Sequence, residues 1–205
     1  MNKKSPKPAY SDLFGEFILQ YFAPASKIYG FHFDKYGENI FTPVIRKGIR
    51  NTKTSNYGHF TVYLPAYSDE KIIQALSHFN ENHWQVFSKQ SKKGYNTGNV
   101  EVVPIEDNQF IESLAYCEGV LCGAGYETPA EALFLHKKLM VIPITGQFEQ
   151  QCNAAALQKM GVPVISNLNH TNIPIISKWL KNNYRVISHY PDETEFIIDK
   201  ILSEA

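Results

Sequence analysis

Apolar positions along the chain follow two alternating periods, which predict an α/β fold. Short apolar runs of strand length are separated by segments whose apolar residues recur every three to four positions, as on one helix face. The predicted strands are residues 60–64, 84–88, 100–103, 119–122, 139–143 and 162–166. The predicted helices are residues 68–80, 109–117, 129–136, 148–160, 173–181 and 192–202. This alternation indicates βαβ units and a Rossmann-like parallel sheet with helices on both faces.

The first quarter of the chain lacks this rhythm. A helix is predicted at residues 11–22, and residues 23–50 are interrupted repeatedly by proline and glycine. We therefore divide the chain into an N-terminal extension and connector, residues 1–53, and a Rossmann-like domain, residues 54–205. The basic residues of the connector are interpreted as a solvated linker: Arg46, Lys47, Arg50 and Lys53.

Composition and charge exclude several classes of function. Twenty basic residues balance twenty acidic ones, so no positive field favours nucleic acid. No apolar run approaches the roughly 18 residues of a membrane helix. The three cysteines lack a CxxC spacing and indicate reduced thiols in a cytoplasmic protein. The seven histidines are scattered, so we expect no metal site and no cofactor.

The first of two specialised turns follows the strand predicted at 119–122. Gly123 and Gly125 allow the backbone to approach a ligand closely. Thr128 is a typical N-cap, so the turn should present free N–H groups and a positive helix end to an anion. The Thr-x-x-Glu spacing also fits a capping box in which Glu131 only holds its own helix. Both interpretations of Glu131 stay open at this point.

The second turn follows the strand predicted at 139–143. Glu149 and Gln150 begin a helix, and Asn153 lies one turn further along. A carboxylate beside a carboxamide offers acceptors and donors at a fixed spacing, which suits the vicinal hydroxyls of a sugar. An acidic first turn that serves the helix dipole is the alternative interpretation.

Together the two turns resemble the donor-binding half of GT-B glycosyltransferases. The segment GAGYETPAEALFLHKKLMVIPITGQFEQQCNAAALQKMGV is similar to the peptidoglycan N-acetylglucosaminyltransferase type, family 28, and to a related group of bacterial and archaeal glycosyltransferases. The likeness is strongest over residues 120–162 and extends from residue 54 onward. Residues 23–50, with GFHF and FTPVIR, resemble the interdomain connector of the second group. The resemblance implies one half of a GT-B fold.

The resemblance also implies a role for each residue of the first turn. Gly123, Ala124, Gly125 and the helix that begins at Thr128 would receive a diphosphate. Glu131 matches the acid that binds the ribose hydroxyls. The histidine that some relatives carry in this turn is replaced by Gly123, which removes one phosphate contact.

The sugar and the base are assigned by the same resemblance. Glu149 and Gln150 match the pair that holds the donor sugar, with Asn153 behind them. The base would lie against the backbone at Pro104 and Ile105, and the expected donor is a UDP-sugar. The glycine-rich loop expected after the first strand is here Pro-Ala-Tyr-Ser, so that part of the phosphate site departs from the pattern.

The expected function is donor binding for transfer of a hexosyl group to an acceptor that the sequence does not specify. The catalytic base is expected in an N-terminal acceptor domain or partner chain, so these residues alone should bind donor but transfer poorly. The expected location is cytoplasmic, with peripheral association of the full enzyme with the inner membrane face left open. The alternatives are a donor-binding subunit of a split transferase, a non-catalytic nucleotide-sugar-binding protein and part of a GT-B-type epimerase.

Overall fold

The computed structural model describes residues 5–7 and 27–204. The helix predicted at residues 11–22 lies outside the described residues. Within them, a six-stranded sheet forms the centre of the fold, in the order β5-β6-β4-β3-β7-β8. Its strands are β3 (His59–Tyr63), β4 (His83–Ser88), β5 (Tyr95–Thr97), β6 (Val100–Pro104), β7 (Gly119–Gly123) and β8 (Lys138–Ile142). All neighbours are parallel except β5, which runs antiparallel to β6.

Helices and two short strands complete the described part. The helices are α1 (Lys47–Arg50), α2 (Asp69–Leu76), α3 (Asp107–Tyr116), α4 (Glu127–Phe134), α5 (Phe148–Lys159), α6 (Ile173–Lys181) and α7 (Thr194–Glu204), with a 3₁₀ turn at His170–Asn172. A separate parallel pair, β1 (Gly30–Phe31) and β2 (Ile40–Phe41), precedes α1.

Helices cover both faces of the sheet, as the sequence predicts. Successive strand residues point to opposite faces, so Val120 packs in one apolar cluster and Leu121 in the other. The first cluster takes side chains from α1, α3, α4 and α5, and the second takes them from α2 and α6. Because both faces are buried, β7 and β8 are almost wholly apolar, whereas β3 and β4 each keep polar residues. The α/β Rossmann-like fold is confirmed.

Most predicted helix boundaries lie within two residues of those observed, although α2 ends at Leu76, four residues before its predicted end. Ser68 caps α2 by accepting a hydrogen bond from the Lys71 N–H at 3.4 Å. Gly161 ends α5 in the left-handed region, with φ of +96°. The last helix begins two residues later than predicted, because Asp192 accepts hydrogen bonds from Thr194 and forms a turn ahead of it.

Two predictions about the strands are wrong. Residues 162–166 were predicted as the sixth strand, but they form only a single bridge, between Val164 and Val141. Pro163 has no N–H to extend a ladder there. Conversely, β5 was not predicted, although Gly98 marks the two-residue turn that joins it to β6. Gly98 has a φ of +58°, which is typical of such hairpins.

The residues before the sheet pack onto it. Phe33, Ile45 and Ile49 are buried in the cluster formed with α3, α4 and α5. The Tyr190 hydroxyl donates to the Phe33 carbonyl at 3.1 Å, which joins this segment to the chain ahead of α7. The segment therefore belongs to the same packed unit as the sheet, while its role as a connector stays a prediction.

Gly119 offers a test of this packing, because β7 leaves no room beside it. A Cβ at this position would lie 2.9 Å from the Lys138 Cβ and 3.1 Å from both the Phe60 and Trp179 rings. Gly119→Ala should lower the free energy of unfolding by about 1–3 kcal/mol, as overpacking does. Urea denaturation measures this, with Gly125→Ala as the control, since nothing lies within 4 Å of its Cβ. Equal stability of the two variants would contradict the packing.

Candidate functional site

A cavity of about 280 Å³ opens at the carboxyl edge of the sheet, beyond β3, β7 and β8. It is lined by the loop after β3, the turn after β7 and the beginning of α5. Ligands of open parallel sheets bind at this edge, where loops and helix starts converge. A second cavity, of about 240 Å³, lies beside Leu139 and Trp179 at the opposite edge. We therefore take the first cavity as the candidate site.

The glycine turn after β7 leaves one wall of the cavity open. Gly123 and Gly125 both line it. A Cβ on Gly125 would meet nothing within 4 Å, and one on Gly123 would come no closer than 3.8 Å to Gln150. Ala124 between them is fully buried. The turn thus exposes backbone to the cavity at two glycines, as predicted, and turns its only methyl group inward.

The start of α4 differs from the prediction. The helix begins at Glu127, so Thr128 lies inside the first turn and is not the N-cap. Tyr126 precedes the helix, and no side chain caps it. The predicted capping box of Thr128 and Glu131 is therefore wrong, because another residue binds the Glu131 carboxylate. Thr128 still lines the cavity, beside the Glu127 carboxylate.

Arg46 is the residue that binds Glu131. Its Nε donates to Oε1 at 2.5 Å and its Nη2 donates to Oε2 at 2.9 Å, a two-pronged contact. The Glu131 side chain is 4% exposed and that of Arg46 is 43% exposed. The hydrogen bonds to Glu131 raise the pKa of the Arg46 guanidinium, which therefore stays charged. Asp107, at the start of α3, lies 3.9 Å from Arg46 Nη1.

This ion pair was missed in the sequence, where Arg46 is interpreted as part of a solvated linker. That interpretation is wrong for two of its four residues. Arg50 is half-buried as well, with Nη1 donating to the Tyr190 carbonyl at 3.0 Å and its guanidinium over the Phe134 ring. The sequence pattern that could have indicated this packing is the pair Ile45 and Ile49, four positions apart, which anchor the segment in the core.

The beginning of α5 closes the opposite wall. Gln150 lines the cavity, and its Oε1 accepts from the Ile144 N–H at 3.1 Å. Its amide nitrogen donates to Gln147 Oε1 at 2.9 Å. Asn153 is 8% exposed, and its amide donates to the Ala124 carbonyl at 3.2 Å. Asn153 therefore ties the two turns together, whereas Glu149 is exposed and does not line the cavity.

The predicted base region lies apart from the cavity. Pro104 is the last residue of β6 and Ile105 follows it, and β6 is separated from β3 by β4. The Ile105 N–H already donates to the Ser88 carbonyl at 2.9 Å. Arg46 bridges the interval, since it contacts Glu131 on one side and approaches Asp107, just beyond Ile105, on the other. The predicted residues thus lie along one edge of the sheet but do not form a single pocket.

Tyr126, which lines the cavity, carries a buried hydroxyl group. Its hydroxyl has no hydrogen-bond partner among the described residues, and burial raises its pKa. Its ring packs against Phe33 with centroids 5.1 Å apart.

Over the part of the chain that the structure describes, His, Cys, Asp and Glu side chains form no group able to hold a metal ion. None of the helices described there is long and apolar enough to cross a membrane.

Comparison with known proteins relates this chain to sugar-transferring enzymes. Residues 20–183 match the family described as glycosyl transferase family 1. The spinosyn forosaminyltransferase SpnP is 12% identical, with a TM-score of 0.50, over 83% of this chain and 52% of that one. The glycotransferase of kitacinnamycin is 14% identical, with a TM-score of 0.51, over 70% and 42%.

At these identities the two solved structures show a shared fold and nothing finer. The chain spans about half the length of either one. No curated protein matches the chain.

The Arg46–Glu131 pair should be measurable in the stability of the protein. Arg46→Ala leaves the Glu131 carboxylate without its partner. It should cost about 1–2 kcal/mol of unfolding free energy, less than a fully buried pair because Arg46 is partly exposed. Lys47→Ala, at the next position, which is exposed, should stay within about 0.5 kcal/mol of the wild type in unfolding free energy. Equal denaturation midpoints for both variants would show that the pair contributes nothing.

Proposed function

Because the chain belongs to glycosyl transferase family 1, we propose that it binds a nucleotide-sugar donor, a UDP-sugar, from which a hexosyl group is transferred to an acceptor. The observation that carries the proposal is the cavity at the carboxyl edge of the sheet. There the open glycine turn after β7 faces the amide of Gln150 at the start of α5. We also propose that transfer itself needs residues beyond these, which is consistent with the chain spanning about half of the structures it matches.

The diphosphate would lie against the glycine turn. The space beside Gly125 is empty to 4 Å, which allows phosphate oxygens to approach the backbone. The N–H groups of Glu127 and Thr128 have no capping side chain and remain available to an anion, whereas Pro129 has no N–H and the Ala130 N–H donates to the Tyr126 carbonyl. Backbone N–H groups held in this way stabilise a leaving diphosphate without reorganisation during the reaction.

The ribose would bind the Glu131 carboxylate, which would lose part of its contact with Arg46. Each carboxylate oxygen has two lone pairs, and Arg46 occupies one on each. The carboxylate is almost fully covered, so a ribose reaches it only when the arginine side chain moves aside. Arg46 is partly exposed, and its outer side is open to such a movement. This is a proposal of a role for Glu131 beyond the structural pair.

The donor sugar would lie near Gln150 and Glu149. Gln150 lines the cavity on the side of β8, one strand beyond the glycine turn, so it is placed to reach past a diphosphate. Glu149 adjoins it on the solvent side, where it would meet the sugar from outside the cavity. Asn153 would act indirectly, by fixing the glycine turn through the Ala124 carbonyl. The acceptor and the catalytic base would come from another domain or chain.

Titration calorimetry with UDP tests both the proposal and the role of Glu131. The wild-type chain should bind UDP saturably with a chelator present, and should bind 2′-deoxy-UDP at least about fivefold more weakly, since one hydrogen bond to a charged group is lost. In Glu131→Gln that preference for ribose should become smaller, because the carboxamide oxygen accepts only a neutral hydrogen bond.

The comparison of the two nucleotides separates recognition from folding. Glu131→Gln also weakens the contact with Arg46, so a general loss of affinity would be expected from damage alone. Only the loss of a ribose contact reduces the difference in affinity between UDP and its deoxy analogue. Failure of the wild type to bind UDP at millimolar concentration would reject the proposed function, and an unchanged preference in the variant would reject the role of Glu131.

Gln150 provides a test of sugar recognition. Gln150→Ala should weaken binding of a UDP-sugar by about 2- to 10-fold, the value of one neutral hydrogen bond, and should leave binding of UDP nearly unchanged. Glu149→Ala should act in the same direction. Gln158→Ala is the matched control, because Gln158 is exposed near the other end of the same helix. Equal losses for UDP and UDP-sugar would mean that Gln150 only supports the turn at Ile144.

A further inference from the structure

The proposed donor brings a charge that the cavity does not balance. A diphosphate carries at least two negative charges near neutral pH. The described residues that line the cavity include no lysine, arginine or histidine, and they include one carboxylate, Glu127. The described residues also offer no metal-binding group. The backbone N–H groups at the glycine turn and at the start of α4 supply only partial positive charge, so a cationic side chain at the rim would complete the neutralisation.

Two lysines lie at this rim, each above an aromatic ring of the cavity wall. Lys89 Nζ is 5.9 Å from the centroid of the Tyr63 ring, and Lys71 Nζ is 5.6 Å from that of Tyr67. Tyr63 and Tyr67 both line the cavity. Both lysines are exposed. Neither takes part in an ion pair among the described residues.

Lys89 differs from Lys71 in the ring that it contacts, because Tyr63 pairs with Cys122, directly before Gly123 of the glycine turn. The backbone on both sides of Lys89 is also held in place. Asp69, 5% exposed at the start of α2, accepts from Ser88 Oγ at 2.9 Å and from Ser91 Oγ at 2.6 Å. Ser88 Oγ in turn accepts from the backbone N–H groups of Gln90 and Ser91, each at 3.0 Å. A buried carboxylate is costly unless it is hydrogen-bonded, and here two hydroxyl groups satisfy it.

This network fixes the loop that follows β4 against the start of α2. Lys89 is the first residue beyond β4, at the same carboxyl edge as the cavity. Its backbone is therefore set before any ligand arrives, and only its flexible side chain remains to be ordered. A charge held in advance loses less entropy when it binds than one on a free loop.

We propose that Lys89 is the residue that neutralises the diphosphate of the donor, and that the Asp69–Ser88–Ser91 network positions it. This inference rests on the proposed function and names the cation that the proposed site requires. The ammonium group would move from the Tyr63 ring toward the glycine turn, exchanging a weak ring contact for charge-assisted hydrogen bonds to phosphate oxygens.

UDP, UMP and uridine are the probes, and Lys89→Gln is the variant. Glutamine keeps a polar chain of similar length over Tyr63 without the charge. In low salt, Lys89→Gln should bind UDP about tenfold more weakly than the wild type does. Its loss of affinity for UMP should be smaller, and its affinity for uridine should be unchanged. Lys89→Arg should retain UDP affinity within about threefold, because the charge is kept. Raising the salt concentration should reduce the difference in UDP affinity between the wild type and Lys89→Gln.

The controls use lysines from the same loop and the same rim. Lys92→Gln removes an exposed charge from the same loop, without a ring contact at the cavity, and should leave UDP affinity unchanged. If Lys92→Gln weakens UDP binding as much as Lys89→Gln, the effect is a diffuse field and the proposal is wrong. It is also wrong if only Lys71→Gln weakens binding, or if Lys89→Gln weakens uridine equally. Absence of UDP binding by the wild type would instead reject the proposed function.

Discussion

The parallel register of β3, β7 and β8 is the constraint on which the candidate site depends. Tyr63 pairs with Cys122, and Gly123 pairs with Ile142, so three loops leave the sheet at one level. The loops are then tied to each other, since the Ala124 N–H donates to the Ile142 carbonyl at 3.3 Å and Asn153 donates to the Ala124 carbonyl. Shifting any strand by one residue would turn its apolar side chains to the other face and separate the walls of the cavity.

The pair of Arg46 and Glu131 extends this constraint to the segment before the sheet. Ile45 and Ile49 hold that segment in the core, and Arg46 between them reaches the site. A movement of Arg46 is therefore coupled to a segment that approaches the sheet from outside the βαβ units. If a nucleotide displaces Arg46, donor binding and the position of this segment become linked through a single carboxylate.

The sequence allowed the fold to be predicted, but only part of the site. Strands such as residues 139–143 are apolar enough to identify, because both faces of the sheet are buried. The start of α4 was misplaced, since Thr128 and Glu131 have the spacing of a capping box and only the fold brings Arg46 to Glu131. A contact between residues 85 positions apart leaves no local pattern in a single sequence. The Asp69 network was missed for the same reason, because its partners come from two separate βα turns.

The distribution of charge at the site depends on which groups bind the buried carboxylates. Glu131 is neutralised by Arg46, and Asp69 is satisfied by serine hydroxyls, so neither needs a metal ion or a lysine. Glu127 at the start of α4 opposes an anion there, which reduces what the helix end alone can offer. The lysines around the cavity are consequently left without carboxylate partners among the described residues. A site arranged in this way has its free positive charge at the rim and its fixed donors at the glycine turn, which suits a ligand with an anionic centre between two neutral polar ends.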